Sequence, residues 1–224
     1  MPADALILSV NKPQEWTSFD VVAKLRRALG WKKVGHAGTL DPLATGVLLL
    51  LFGDATRRSD EFMDQPKEYR AVIRFGIRTT TDDITGEVLE QRDLPDWSET
   101  RITDSLKSFI GRIEQIPPAV SAVKVGGRRS YKAAFAGQAL ELKARPIEVY
   151  GIDVHQLAPP DLELTIRCGR GTYIRSIARD MGNLLGWGAA LAQLTRAAVG
   201  PYRVENSFSL ETVLKHKSEF TCTA

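Results

Sequence analysis

The residues whose types invite chemistry lie in one short run, Gly35-His36-Ala37-Gly38-Thr39-Leu40-Asp41-Pro42-Leu43-Ala44-Thr45-Gly46. A carboxylate and an imidazole sit there among small residues, which let another molecule approach the backbone closely. Asp41 could serve as nucleophile or base, and Asp41-Pro42 could also be no more than a turn, since both residue types favour turns. The two cysteines, Cys168 and Cys222, have no metal-ligand spacing around them, so free thiols and no bound metal are expected. Neither a dinucleotide-binding nor a phosphate-binding loop motif is present, and no cofactor is implied.

Such a loop needs regular elements on both sides. Residues 6–10 read as a short buried strand that stops at Asn11-Lys12-Pro13, because proline has no amide hydrogen for the ladder. Thr17 or Ser18 can cap a helix with the stripe Val22, Leu25 and Leu29, with Asp20 near its positive end and Gly30 at its stop. Residues 32–46 show little periodicity and predict an irregular loop; residues 47–52 predict a strand buried on both faces. Residues 67–77 alternate, placing Tyr69, Ala71, Ile73 and Phe75 on one face of a half-buried strand. A polar turn region follows at 79–86, and Ser98 can cap a helix carrying Ile102, Leu106, Phe109 and Ile110. Pro117-Pro118 forces an extended entry into 119–125, with a turn at Gly126-Gly127. Strands are expected at 147–154, 162–168 and 191–199, with a short helix near 210–216. Residues 172–185 predict an amphipathic helix that packs Ile174, Ile177, Met181 and Leu184/Leu185 while Arg175 and Arg179 point elsewhere. Strands outnumber helices and are mostly joined by turns. The expectation is an α+β fold, a mixed and largely antiparallel sheet flanked by helices.

With 224 residues, 43% hydrophobic and 25% charged, the chain can build a substantial core, and one domain over 1–208 followed by a short helix and tail at 209–224 is the simplest division. Its longest apolar runs, 5–10 and 47–52, fall far short of the roughly 20 residues that cross a bilayer, and no leader pattern opens it, so a cytoplasmic location is expected. Net charge is only +3, but it is unevenly spread. Residues 112–145 carry seven Lys/Arg against two Glu, and residues 167–203 six Arg against one Asp. Residues 79–104 oppose them with eight Asp/Glu against two Arg. Such polarity suits a protein that turns one face to a phosphate backbone and another to solvent.

The run at 35–46 resembles the GHxGTLDPxATG signature of the TruB family of pseudouridine synthases. Further motifs agree in order: Lys12-Pro13 with Thr17-Ser18 resembles KPxGxTS, Lys67-Glu68-Tyr69 resembles KxY, and Ser121-Ala122-Val123-Lys124 with Gly127 and Tyr131 resembles SALKxxGxxxY. Arg145-Pro146-Ile147 and Gly171-Thr172-Tyr173-Ile174-Arg175 complete the series, which covers about residues 6 to 204.

The resemblance implies isomerisation of uridine to pseudouridine in the T-arm loop of tRNA, at position 55, begun by Asp41 at the N1–C1′ bond and completed by rejoining through C5. Asp41 would either attack the ribose or take a proton from it to give a glycal. Arg175 is implied as the cation that keeps Asp41 ionised, and Tyr69 as the ring that stacks on the target base and accepts a proton at C5. His36 is implied to fill the gap left in the RNA, Leu194 to pack on the flipped base, and Asp83, Tyr173 and Lys12 to contact substrate. Residues 111–145 match an insertion that closes over RNA, with Lys124, Arg128, Arg129 and Lys132 as phosphate contacts. The implied partner is the tRNA T-arm, without guide RNA, metal, cofactor or membrane, for a monomeric enzyme.

Three departures stand out: Glu15 replaces a glycine, Arg57 a common lysine and Val120 a frequent aromatic, none of them expected to touch the chemistry. Many members continue into a C-terminal RNA-binding domain of the PUA type, whereas this sequence stops about twenty residues after Arg203. Two rival readings are a guide-dependent H/ACA catalytic subunit with the same core signature, and an RNA chaperone whose catalysis is incidental.

Overall fold

The computed structural model describes residues 5–94, 96–121 and 142–221, together with the backbone of two short strands, Lys124–Val125 and Arg128–Arg129. Lys132, the turn at Gly126-Gly127 and Cys222 lie outside the described residues, as do the side chains of Lys124, Arg128 and Arg129.

The chain opens with β1 (Ala5–Lys12), α1 (Ser18–Leu29), β2 (Val34–His36), β3 (Thr45–Gly53), α2 (Ser59–Asp64) and β4 (Lys67–Phe75). It continues with β5 (Ile77–Thr79), β6 (Val88–Gln91), α3 (Glu99–Leu106), β7 (Gly111–Gln115), β8 (Lys124–Val125) and β9 (Arg128–Arg129). The last elements are β10 (Arg145–Ala158), β11 (Asp161–Cys168), α4 (Ile174–Leu185), β12 (Ala189–Val199), β13 (Tyr202–Arg203), α5 (Leu210–Lys215) and α6 (Lys217–Phe220). Contacts group them into two compact units, residues 1–70 with 194–224 and residues 71–193.

In the first unit the strand order is β1-β3-β12-β4. β3 is its axis because Val47 through Phe52 are all fully buried, as expected of a strand packed on both faces. β1 runs antiparallel along the whole of β3, from Ala5 opposite Gly53 to Lys12 opposite Gly46. The other edge of β3 is shared: β12 pairs with its start in parallel, Thr195 opposite Thr45, and β2 pairs with its end, His36 opposite Leu50. The loop at 37–44 therefore leaves β3 near Leu49 and returns to its start at Thr45. α1 begins in a capping box in which the Thr17 hydroxyl accepts from the Asp20 amide at 3.1 Å and Asp20 accepts from the Thr17 amide at 2.9 Å. It ends at Gly30, whose φ of 71° lies in the left-handed region. Val21, Val22, Leu25 and Leu29 form its buried face.

In the second unit the order is β12-β4-β11-β10-β7, with β10 antiparallel to both of its neighbours. β4 alternates as its sequence predicts, with Ala71, Ile73 and Phe75 buried. Phe75 packs edge-on against Trp97 and Trp187, which stack on each other with ring centroids 6.0 Å apart. The polar stretch after β4 is the loop of a small hairpin between β5 and β6.

The expected α+β class with a mixed, largely antiparallel sheet matches the structure. Details differ for local reasons. β1 extends to Lys12, so Pro13 rather than Asn11 ends it, and β2 forms inside the stretch expected to be irregular. α4 starts at Ile174 because Tyr173 is its extended N-cap. Leu184 and Ile110, both expected in apolar stripes, are exposed. Among the described residues no helix is long and apolar enough to cross a membrane.

Candidate active site

The loop that carries Asp41 is held in the first unit by two buried cations and one hydroxyl. Arg196 on β12 is 1% exposed; its Nε donates to the Val47 carbonyl at 2.7 Å and its Nη2 to the Gly38 carbonyl at 3.0 Å, with Nη1 3.5 Å from the Thr39 carbonyl. One planar fork thus joins the start of β3 to the middle of the loop, a geometry that suits guanidinium better than ammonium. Lys12, 0% exposed, donates from Nζ to the carbonyls of Trp16 at 2.6 Å and Pro13 at 2.8 Å, with the Pro42 carbonyl at 3.4 Å. Ser18 closes the third side: its hydroxyl accepts from the Leu40 amide at 2.8 Å and donates to the Leu40 carbonyl at 3.1 Å. Asp41 itself is half-buried, and its carbonyl accepts from the Ala44 amide at 3.0 Å in a tight turn. The turn reading of Asp41-Pro42 is therefore true of the backbone.

Burial works against charge here and the loop's carbonyls compensate. The Lys12 amine is lowered to about 8, first by its removal from water and then by the positive charge of Arg196, while Asp41 and Asp20 oppose the shift. His36 is lowered as well, chiefly by burial and secondly by Arg196, so its ring is neutral at physiological pH. Its Nδ1 is buried without a hydrogen-bond partner. Tyr69 and Leu194 are both buried, at 8% exposure each. Lys12, expected among the substrate contacts, has its entire side chain inside the protein and acts on the loop.

Glu15, the departure from glycine, lies beside the Asp41 loop and is bonded to it through its backbone. Its φ is 68°, in the left-handed region where glycine is at home, and its amide donates to the Pro42 carbonyl at 2.8 Å. The substitution sits one hydrogen bond from the residue that follows Asp41.

In the second unit Arg175 and Asp83 meet. Arg175 is 4% exposed on the first turn of α4, where the amphipathic pattern placed it away from the core. It donates to the carbonyls of Thr81 and Val120, both at 2.9 Å, and its Nε lies 3.8 Å from the Asp83 carboxylate. Asp83 in turn accepts from the Thr81 hydroxyl at 2.9 Å and from the amide and hydroxyl of Thr85 at 3.0 and 2.5 Å. It is thus both the organiser of its turn and the neighbour of Arg175. Tyr173 exchanges two bonds with one side chain: its amide donates to Gln115 Oε1 at 2.9 Å and its carbonyl accepts from Gln115 Nε2 at 3.1 Å.

Most arginines of the second basic segment have partners within the protein. Arg167 pairs with Asp153, Arg179 with Asp82 at 3.0 Å and Asp180 at 2.8 Å, and Arg203 with Glu68 at 3.3 Å. Arg175 and Arg196 are spent inside the protein as described. The acidic segment likewise keeps part of its charge indoors, since Asp82 and Asp83 are partners of these arginines.

Arg196 and Ser18 are the site residues that the sequence reading did not assign. Arg196 could have been found as a lone charge in the otherwise small and apolar text of residues 189–199.

Comparison with known proteins agrees with this layout. Residues 26–174 match the model of the TruB family pseudouridylate synthase N-terminal domain. A protein named tRNA pseudouridine synthase B from Paenarthrobacter aurescens (strain TC1) is 44% identical over 211 residues, covering 92% of this chain and 68% of that relative. Its namesake from Gloeothece citriformis (strain PCC 7424) is 48% identical over 206 residues, covering 91% of this chain and 67% of its own length. Among solved structures, a chain of a Cbf5-Nop10-Gar1 complex superposes with a TM-score of 0.73 at 30% identity. That match covers 94% of this chain and 54% of the solved one, so the chain spans about half the length of that neighbour. An H/ACA RNP bound to a substrate RNA containing 2′-deoxyuridine gives 0.70 at 27% identity, covering 94% and 52%. The chain belongs to the TruB family of pseudouridylate synthases and is an isomerase.

Proposed function

We propose that the chain converts uridine to pseudouridine in the T-arm loop of tRNA, at position 55. The observation that carries this reading is the loop of Asp41, fixed at Gly38, Leu40 and Pro42 by Arg196, Ser18 and Lys12 before any substrate binds. A carboxylate presented from so constrained a backbone is prepared for attack at one atom.

The reaction breaks N1–C1′, turns the uracil and joins C5 to C1′, with no redox change and no external donor. Uracil departs as a stabilised anion, so one carboxylate suffices where glycosidases use two. Asp41 either adds to C1′ or removes a ribose proton to give a glycal. A cation, for which Arg175 is the candidate, keeps that carboxylate ionised. Tyr69 stacks on the base and takes the proton from C5, and Leu194 packs against the same base. The uridine must first leave its stack at a cost of a few kcal/mol, roughly, and the neutral ring of His36 is suited to the gap it leaves. Asp83 and Tyr173 contact the target nucleotide or its neighbours, while Lys124, Arg128, Arg129 and Lys132 hold phosphates. Shape recognition of a folded arm follows from contacts of that type. The catalytic domain of this reading extends over residues 1–208 and acts as a monomer in the cytoplasm.

The relatives named tRNA pseudouridine synthase B, at 44% identity and above two thirds of their length, support tRNA as the substrate. The likeness to H/ACA chains favours a second reading, in which a guide RNA presents the uridine. Release of tritium from C5-labelled tRNA transcript separates them: release by the chain alone supports the first, and release only after a guide complex is supplied supports the second. Asp41→Asn should retain RNA binding and lose conversion; undiminished conversion would remove Asp41 from its role.

A further inference from the structure

We propose that the solvent face of α1, together with the two lysines that follow it, is an additional docking surface for the phosphate backbone of the RNA substrate. This inference rests on the reading of that substrate as RNA.

Between Val21 and Val34 the sequence holds five cations, Lys24, Arg26, Arg27, Lys32 and Lys33, and no acid. All five are exposed. None of them is in an ion pair among the described residues, and no other described helix carries so many cations without one. Several exposed arginines elsewhere are matched by carboxylates, as in Arg57 with Asp54, Arg58 with Glu61, Arg70 with Glu205 and Arg74 with Asp161. The one acid on α1, Asp20, is occupied at the helix start by the amide and hydroxyl of Thr17, at 2.9 and 2.6 Å. Unpaired like charges on one short helix repel each other and weaken it. A polyanion that binds there relieves the repulsion and releases its own counterions.

The surface is also placed where RNA would be. Ser18, on the first turn of α1, is bonded to Leu40, the residue before Asp41, and Lys32 and Lys33 lead directly into β2 and His36. α1 is therefore tied at one end to the candidate active loop and runs at the other into the strand that begins the same loop. From residue 19 to residue 27 the helix advances about 12 Å, enough to follow several phosphates. Phe19, 71% exposed on the first turn, offers an aromatic surface to a sugar or base at the end nearest the loop. An anionic membrane would also be drawn to such charges, but a surface bonded to the active loop fits the RNA better.

The test replaces Lys24, Arg26 and Arg27 together by glutamine, a good helix former, so α1 and its buried face persist. A matched variant, Arg57→Gln with Arg58→Gln and Arg74→Gln, removes three paired cations elsewhere and controls for net charge. Binding of unmodified tRNA is titrated against salt for the natural chain and both variants. The α1 variant should bind about tenfold more weakly at moderate salt, with the slope of log K against log salt reduced by roughly 2 to 3. The matched variant should keep both. Lys32→Gln with Lys33→Gln, outside the helix, should reduce the slope by about 1 to 2 and guards against helix damage as the cause. Equal affinity and slope in the α1 variant would overturn the proposal, as would an effect of the same size in the matched variant. So would intact RNA binding accompanied by lost binding to phosphatidylserine vesicles. Binding without conversion by the natural chain would count against the proposed function and leave this surface standing.

Discussion

A methyl group on Gly46 would stand 2.3 Å from the backbone carbonyl oxygen of Arg196, so the head of β3 and the middle of β12 approach as closely as an absent side chain permits. Gly46 also holds φ at 102°, where other residues are strained. Gly46→Ala should therefore lower stability by about 2–4 kcal/mol, combining overpacking with backbone strain. A urea titration of the variant that shows a loss below 1 kcal/mol would refute the close approach.

The Arg196 side chain is predicted to be irreplaceable by lysine. Its fork reaches the carbonyls of Val47 and Gly38 together. A lysine has no planar pair of donors and would leave a buried carbonyl unsatisfied, at a cost of about 1–3 kcal/mol. Arg196→Lys should unfold at a lower temperature and convert uridine more slowly, with the larger part of the loss in kcat because the Asp41 loop is loosened. Unchanged kcat in a folded variant would show that the loop does not need this support.

Glu15→Gly should stabilise the chain. Glycine removes the left-handed penalty of about 1–2 kcal/mol, less roughly 0.5–1 kcal/mol for its greater freedom in the unfolded chain, so a gain of up to about 1.5 kcal/mol is expected. Glu15→Ala keeps the penalty and should show no gain. Thermal melts of the two variants side by side check the sign.

Lys12 should leave a signature at alkaline pH. Its amine is lowered to about 8 in the fold, whereas an unfolded lysine titrates near its ordinary value of 10.5. Between those values the unfolded chain binds more protons, so the contribution of Lys12 to stability rises with pH across that window. Below about pH 8 both states are charged and the contribution is flat. Urea midpoints of the natural chain and of Lys12→Met at pH 7.5 and 9.5 should diverge, with the natural chain gaining relative to the variant. Parallel shifts in both would contradict the assignment.

Much of this was readable in the residues themselves. The helix start at Thr17 or Ser18, the alternation along β4 and the apolar run of β3 are local patterns, and each formed where the pattern put it, with Thr17 as the cap. What could not be read is what depends on distant pairing. Arg196 stands out as the one charge of its strand, but its partners at Val47 and Gly38 emerge only when β12 is laid parallel to β3, which brings together residues far apart in the sequence. Arg175 and Arg179 sit on the polar side of an amphipathic helix, a position that normally means solvent; the carbonyls of Thr81, Val120 and Ile116 make burial tolerable instead. Segment charge is modified in the same way over residues 167–203, where several arginines pair with acids that lie elsewhere in the sequence.

The two hydrogen bonds between Ser18 and Leu40 make one amide hydrogen a reporter for two elements. The Leu40 N–H can exchange with solvent deuterium only when the Ser18 hydroxyl lets go, which requires either the first turn of α1 to fray or the loop to swing out. Its exchange rate is thus set by whichever opening is easier. A ligand that protected Leu40 without touching it would be fastening the helix and the loop at the same time.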